Sequence, residues 1–270
     1  MSLVVNTNVG SLNAQRSLAA SGAELKTAME RLSSGKKINS AADDAAGFAI
    51  AERMTAQIRG LNMATKNAND GLSMLAVIEN ATNDVTDMLQ RMRELAIQAA
   101  NDTNGSADRG FLQSEVSQLV QEIDRVATQT QYNGETILNG SFTDKKIQVG
   151  TEAGQTVGFS VSSITSNSLG VSSLDVSSDP TNALASITNA IESVAGDRAS
   201  YGALQNRLEY TVSNLMNVAE YTTAARSRIE DADFAAESAR LAKAQVLQQT
   251  GTAMLAQANA SPQLALSLIR

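Results

Sequence analysis

A seven-residue repeat of apolar and small side chains between residues 54 and 99 constrains the fold of this chain more than any other feature. Counted from Met54, these residues recur at alternating intervals of three and four, which places them on two adjacent lines along one face of a helix. The two lines are Leu61, Ala68, Leu75, Thr82, Leu89 and Ala96, and Ala64, Gly71, Ile78, Val85, Met92 and Ala99. This seam predicts one helix over about residues 43–100, which would be roughly 85 Å long and would pack against other helices along its length.

Two further stretches carry the same spacing. After the turn-rich residues 101–110, a helix is predicted over about residues 105–129, with Leu112, Val116, Leu119, Ile123 and Val126 on one face. Another is predicted over about residues 181–228, with a stripe of Ile187, Val194, Tyr201, Leu208 and Leu215 that extends to Ile229. The fold class is therefore mainly α, an elongated antiparallel helical bundle or coiled coil of N- and C-terminal helices.

The segment 131–178 differs, because it is rich in Gly, Ser and Thr. Apolar residues alternate on both sides of the turn-forming GTEAGQ: Ile147 and Val149 before it, and Val157, Phe159 and Val161 after it. This pattern predicts a small β-hairpin region, at about residues 135–178.

Both ends of the chain are helix-prone but poor in bulk. Residues 1–40 and 231–270 each carry about ten large apolar side chains, and the C-terminal segment has eleven alanines. Such helices bury little surface by themselves, so each end is expected to need a partner.

Composition excludes several classes of function. The chain has no His and no Cys, which rules out Ser-His-Asp triads, HExxH zinc sites and disulfides, and it has no P-loop or GxGxxG motif. We expect no enzyme activity, no cofactor and no metal, since Glu230, Asp231 and Asp233 lack the spacing of a calcium loop. A net charge of −7 argues against nucleic acid as a partner.

A membrane-inserted protein is not expected either. No stretch approaches ~18 consecutive apolar residues, and the N-terminal residues have neither a basic region nor a long apolar run, with Arg16 the first basic residue. The protein is expected to be soluble as made, without a standard secretory signal.

Several motifs together resemble the bacterial flagellins, the subunits of the flagellar filament. They are RLSSGKKINSAADDAAGFAIAERM, NTNVGSLNAQRSL, LQRMRELAIQAAND, QEIDRVATQTQYNGETILNG, IEDADFAAESARLAKAQVLQQTGTAMLAQANASPQ and the final LSLIR. The resemblance covers nearly all of residues 1–140 and 180–270, in the family's order. Only about fifty residues separate the two halves, so this is expected to be a short form without the family's large variable outer domains.

The resemblance implies a structural subunit that self-assembles into a secreted, extracellular filament for swimming motility. Residues 1–42 plus 229–270 would form an inner core domain of paired terminal helices, and residues 43–228 an outer core domain with the hairpin. Two alternatives stay open at this point: an intracellular coiled-coil scaffold, and a minor hook–filament junction-type protein.

On this reading, residues 33–44 connect the two domains. Gly35 ends a helix, Asn39 begins a turn, and Asp43 and Asp44 lie at the start of the next helix, where carboxylates favour the helix dipole. A structural role is preferred over a metal or catalytic one for both aspartates.

The resemblance also implies partners. These are further copies of the chain, a flagellar export chaperone and the type III export apparatus, and the filament cap and hook–filament junction proteins. The tail for polymerisation and chaperone binding would comprise Leu255, Leu264, Leu266, Leu268 and Ile269. A host toll-like receptor would read Arg91, Leu95 and Glu115, with Arg91 and Leu95 on one exposed patch, and a cytosolic flagellin sensor would read Leu264, Leu266 and Leu268. Retention of the same residues for subunit packing is the alternative.

Overall fold

A computed structural model describes residues 7–268, with side chains to residue 261. In this part of the chain the helices are α1 (Val9–Ser34), α2 (Ala45–Ala99), α3 (Ser106–Gln129), α4 (Pro180–Glu230) and α5 (Phe234–Leu268). Between α3 and α4 lie strands β1 (Gln131–Tyr132), β2 (Glu135–Thr136), β3 (Lys145–Gln148) and β4 (Thr156–Phe159). The mainly α class is confirmed, and α2, α3 and α4 begin and end close to the predicted residues. The described residues fall into two compact units, 57–220 and 7–56 with 221–268.

The unit of residues 57–220 is built on the seam of α2. Every predicted seam position from Leu61 to Ala99 is buried. Thr82 is the polar member of the seam, and its hydroxyl donates to the backbone oxygens of Ile78 (2.8 Å) and Glu79 (3.0 Å). The hydroxyl of Thr82 is therefore buried with hydrogen-bond partners.

Helices α3 and α4 complete this core. The predicted stripe of α4 is buried at each position from Ile187 to Leu215, and Val116 and Ile123 of α3 are fully buried. Except for Leu215, these residues share one hydrophobic cluster with the seam; Leu215 packs with Leu61 and Ala64 in a smaller one.

The predicted hairpin region contains two antiparallel hairpins, β1–β2 and β3–β4. In the second, Ile147 pairs with Val157 across the turn of residues 149–155. A Cβ at Gly71 of α2 would lie 2.4 Å from the Cδ1 of Ile147, so a glycine here lets the hairpin lie directly on the helix. The hairpin is confirmed.

Strand structure is shorter than the alternating pattern predicts, because β4 ends at Phe159. Val161 is buried outside the strand, and its N–H donates to the Phe142 carbonyl at 3.0 Å. Residues 160–179 form turns that side chains of the helices hold. The Asp124 carboxylate accepts from the N–H and the hydroxyl of Ser166, both at 2.8 Å, and the Gln113 amide bridges Leu174 and Val176. These polar contacts replace strand pairing.

The other unit contains α1 and α5, which run antiparallel. Asn8 donates its side-chain N–H to the Ala258 carbonyl (2.7 Å), Leu18 lies against Gly251, and Arg31 contacts Glu237 (3.5 Å). Residue numbers thus rise along one helix as they fall along the other. Cα atoms of the two helices repeatedly approach within 8 Å, which small side chains at the contact allow.

Two isoleucines of α2 test how far stability depends on the seam. Ile78 is fully buried, whereas Ile97 is 54% exposed. We expect Ile78→Ala to lower the free energy of unfolding by about 2–5 kcal/mol, because it leaves a cavity in the core. Ile97→Ala should change it by less than about 1 kcal/mol. Urea unfolding of the monomer measures both, and equal losses would contradict the burial of the seam.

Candidate assembly surfaces

The α1–α5 pair buries small and polar residues rather than large apolar ones. On α1 the buried residues are Ser11, Ser21 and Ala28, and on the described part of α5 they are Ala244 and Glu237. A Cβ at Gly251 would lie 3.2 Å from the Cδ1 of Leu18, so the helices approach closely at this point. Close approach through small residues aligns two helices but removes little apolar surface from water.

A charged cluster holds one end of the pair. Glu237 has a side chain only 7% exposed, and it accepts from Arg31 across the helix pair (3.5 Å) and from Arg240 one turn later (3.1 Å). Nε of Arg31 is buried and has no hydrogen-bond partner among the described residues. A buried carboxylate needs these cations, so the cluster specifies how the helices align more than it adds stability.

Large apolar side chains of this unit point to solvent instead. Seven of them are between 40% and 64% exposed: Val9, Leu12, Met29, Phe234, Val246, Leu247 and Met254. A protein that works alone rarely leaves so much apolar surface on two helices that bury so little. These exposed residues, which we call the apolar surface of α1 and α5, are a candidate site for packing against other molecules.

The predicted tail residues lie in and beyond α5. Leu255 is half-buried in this helix. The backbone of Leu264, Leu266 and Leu268 belongs to the end of α5, while their side chains, and Ile269 entirely, lie outside the described residues.

The connector between α1 and α2 is organised by two carboxylates. Gly35 ends α1 in the left-handed conformation (φ 72°), and its N–H donates to the Arg31 carbonyl. Oδ2 of Asp43 accepts from the backbone N–H groups of Asn39 (3.0 Å) and Ser40 (2.9 Å), which closes a turn. Oδ1 of Asp44 accepts from the N–H groups of Ala46 and Gly47 and so caps α2.

This connector is joined to the one that precedes α5. Lys36 and Asp231 form an isolated antiparallel bridge, and the N–H groups of Lys37 and Ala232 donate to the carbonyls of Glu230 and Gly35. The Glu230 carboxylate also pairs with the ammonium group of Lys36. The sequence offers no signal for this pairing, since it joins residues almost two hundred positions apart.

The acidic run before α5 has structural roles in this arrangement. Glu230 is paired with Lys36, and Oδ1 of Asp233 accepts from the N–H groups of Ala235 (2.9 Å) and Ala236 (3.2 Å), capping α5. In the part of the chain from residue 7 to 268, no three acidic side chains gather to hold a metal ion.

The predicted recognition stretch on α2 is partly exposed and partly core. Arg91 donates to Glu115 of α3 (2.9 Å) and to Glu94 (2.9 Å), and all three side chains are well exposed. Hydrogen bonds to Glu94 and Glu115 raise the pKa of Arg91 above its ordinary value.

The prediction that Leu95 shares an exposed patch with Arg91 is wrong. The Leu95 side chain is 1% exposed and belongs to the core cluster with Met92 and Ala96. Residues four apart on a helix lie about 40° apart around its axis, and here the edge of the buried stripe falls between them. The exposed charged side chains at this place include Arg91, Glu94 and Glu115.

Among the described residues, no helix combines the length and apolarity that crossing a membrane requires.

Known proteins match the chain over its whole length. The profile of the bacterial flagellin N-terminal helical region matches residues 5–143, and that of the C-terminal helical region matches residues 184–269. A flagellin of Halalkalibacterium halodurans is 40% identical over 273 residues, which cover 99% of this chain and all of that protein. A flagellin of Xenorhabdus nematophila is 42% identical over 313 residues and covers both chains fully.

Two further similarities agree with this result. The flagellar filament 33 kDa core protein of Treponema phagedenis is 41% identical over 286 residues, across 99% of this chain and all of its own. Among solved structures, a crystal structure of Bacillus cereus flagellin superposes with a TM-score of 0.51 at 30% identity, over 56% of this chain and 88% of that one.

The turn at Asp43 should respond to acid. Backbone N–H groups, that of Ser40 first and then that of Asn39, lower the pKa of the Asp43 carboxyl below its ordinary value of 3.8. Because the folded pKa is the lower one, the contribution of the turn to stability is complete above pH 3.8 and is lost as the pH falls through the folded value. An NMR titration should show Asp43 and the amides of Asn39 and Ser40 changing together below pH 3.8.

Asp43→Ala is the control for this titration, because it removes the acceptor. The amides of Asn39 and Ser40 should then show no joint transition. A carboxyl of Asp43 that titrates at or above 3.8 would contradict the hydrogen bonds described here.

Proposed function

The chain belongs to the bacterial flagellin family, and from that premise we propose how its parts build a flagellar filament. As a flagellin it is a structural subunit, not an enzyme, and it assembles with copies of itself into the extracellular filament that serves swimming motility. The observation that carries the proposal is the contrast between its two units: one has a complete apolar core, and the other exposes its large apolar side chains.

We assign the layers of the filament according to that contrast. Residues 1–42 plus 229–270 form the inner core domain and residues 43–228 the outer core domain. The outer domain can fold within one subunit because its seam is covered by its own α3 and α4. The inner domain has its apolar surface left over for neighbouring copies. These boundaries are functional ones. They differ from those of the compact units, which change at residues 56/57 and 220/221 rather than at 42/43 and 228/229.

Assembly then completes the folding of the inner domain. The α1–α5 pair buries mainly small residues, so its own packing contributes little against the entropy of ordering two helices. Neighbours that cover Val246, Leu247 and Met254 would contribute the missing burial. Neighbouring subunits then stabilise the ordered helices in the way that a ligand stabilises the folded state to which it binds.

Export and handling before assembly follow the same logic. We propose that the subunit leaves through the type III export apparatus largely unfolded, with an export chaperone on the tail around Leu255, Leu264, Leu266, Leu268 and Ile269. A chain with no cysteine can unfold and refold without breaking disulfides. Filament cap and hook–filament junction proteins are its partners at the two ends of the filament.

An intracellular scaffold and a junction-type role are disfavoured by one finding. Flagellins match this chain from end to end, including the terminal segments that a scaffold would not need.

Removal of either terminal segment tests whether the terminal segments are needed for filament formation but not for folding of residues 57–220. We expect variants lacking residues 1–40 or 231–270 to keep a folded, helical unit of residues 57–220, because its core cluster contains no residue from either end. Neither variant should form filaments. Circular dichroism and electron microscopy after seeding measure the two properties, with the full-length chain seeded in parallel. Regular filaments from either truncation would overturn the proposal.

Recognition by a host toll-like receptor is a second, separate proposal. Its support is the exposed ion pair of Arg91 and Glu115, which joins α2 and α3 at 2.8 Å and offers a fixed pattern of charge. Leu95 would act only by supporting Arg91 from the core. Recognition by a cytosolic sensor of Leu264, Leu266 and Leu268 is likewise proposed from the family resemblance.

A matched ion pair on α3 makes the receptor proposal testable. Arg91→Ala and Glu115→Ala should each lower receptor activation by recombinant monomer about tenfold or more, as loss of a central contact does. Glu122→Ala and Arg125→Ala remove another exposed Glu–Arg pair and should leave activation unchanged. Activation that all four substitutions leave intact would overturn the receptor proposal.

A further inference from the structure

The tripeptide Asn-Gly-Ser occurs twice in the chain, at residues 104–106 and 139–141. In an Asn–Gly pair the main-chain nitrogen of the glycine lies close to the side-chain amide of the asparagine, and no Cβ on the glycine obstructs their approach. Because the two tripeptides are identical, a difference between them in chemical behaviour comes from the surroundings that the fold gives each one.

The Asn139 side chain is held against the main chain that follows it. Its Oδ1 accepts from the backbone N–H of Ser141 (3.0 Å) and from the Ser141 hydroxyl (2.6 Å), whose other acceptor, the Thr136 carbonyl, is farther away at 3.4 Å. Nδ2 of Asn139 donates to Oγ1 of Thr136 at 2.8 Å. The turn that Oδ1 closes with the Ser141 N–H folds the Asn139 Cγ back toward the nitrogen of Gly140.

Asn104 has the same neighbours in sequence and a different arrangement in space. Its Nδ2 donates to the Gln98 carbonyl at 2.6 Å, so the side-chain amide is turned back toward α2. The N–H of Gly105, which would have to attack that amide, donates to Oδ2 of Asp108 at 3.2 Å. Ser106 is already the first residue of α3. The nitrogen and the amide of this pair are therefore both engaged elsewhere.

Buried residues on both sides fix the loop that carries Asn139. Leu138 is fully buried, and Phe142 is 8% exposed. The carbonyls of both accept backbone hydrogen bonds at 3.0 Å from the segment 160–179. Residues 139–141 between them are exposed. The arrangement around the Asn139 amide is thus held in place where water reaches it.

We propose that Asn139 is a site of spontaneous deamidation that its contacts with Ser141 promote. The Gly140 nitrogen loses its proton to solvent and attacks Cγ of Asn139. The new C–N bond closes a succinimide ring, the bond between Cγ and Nδ2 breaks, and the amide nitrogen takes a proton from water and leaves as ammonia. Water then opens the ring and produces a carboxylate. The two donors of Ser141 stabilise the negative charge that develops on Oδ1 during the attack.

The aspartate product fits the same loop. A carboxylate oxygen at position 139 accepts the two hydrogen bonds that Oδ1 accepts now, and the Thr136 hydroxyl donates to the other oxygen. Opening of the ring on its other side gives isoaspartate, which inserts an extra backbone atom between the buried Leu138 and Phe142. The folded loop therefore favours aspartate, and the modification adds a negative charge to this surface with time.

Asn104 is the control for the first test, within the same molecule. The full-length monomer is incubated at mildly alkaline pH, folded in buffer or unfolded in urea, and peptide mass spectrometry follows the deamidated fraction of each tripeptide. We expect Asn139 to convert about tenfold or more faster than Asn104 in the folded chain, as two hydrogen bonds to a developing charge allow. In the unfolded chain the two rates should be similar. Equal rates in the folded chain would overturn the proposal.

A substitution at Ser141 tests the cause of the difference. Ser141→Ala removes the hydroxyl donor and keeps the backbone N–H, so it should slow Asn139 about three- to tenfold in the folded chain, the effect of one hydrogen bond. Ser106→Ala is the matched control and should leave Asn104 unchanged. Both serines are exposed, so circular dichroism of both variants should match the unsubstituted chain. A folded Ser141→Ala chain in which Asn139 converts as fast as before would overturn the proposal.

Discussion

Side chains seven residues apart along α2 are removed from water by α3, α4 and the hairpin, and the other parts of the structure build on this contact. Because the contact runs from Leu61 to Ala99, different surfaces of this unit lie at different levels along one helix. The Arg91–Glu115 pair lies near one end of the seam, and the β3–β4 hairpin packs on Gly71 toward the other end. A core closed within one chain leaves the outer face of this unit free for recognition.

The terminal helices follow the opposite rule. Small residues and a buried ion cluster align α1 with α5, while large apolar side chains face outward. Specific alignment without much burial leaves apolar surface for packing against further copies of the subunit. The acidic net charge of the chain opposes association in solution, because like-charged monomers repel one another.

The paired connectors bring the ends of the terminal helices together. Several features lie in these two connectors: the bridge of Lys36 with Asp231, the caps of Asp44 and Asp233, and the left-handed Gly35. Each feature ends one helix or begins another, and together they pair backbone N–H groups at the helix ends, where no partner within the helix exists. Carboxylates of both acidic runs have a structural role here, because they accept hydrogen bonds from backbone N–H groups.

The parts of this protein that depend on local order can be predicted from its residues alone. Helix geometry sets the intervals at which the seam of α2 and the stripe of α4 repeat, so both can be predicted from spacing. The β3–β4 turn and the helix ends can be predicted from the residue types found there. The flagellin motifs were equally local, because each is a continuous run of residues.

Which residues at the edge of a pattern are buried, and which distant residues meet, depends instead on tertiary packing. Leu95 and Arg91 are one turn apart, yet one is core and the other exposed, because the edge of the buried stripe falls between them. The pairing of Lys36 with Asp231, the contact of Arg31 with Glu237, and the closure of residues 160–179 by Asp124 and Gln113 each join segments far apart in the chain. Such contacts depend on how whole helices pack, and no interval along the sequence encodes them.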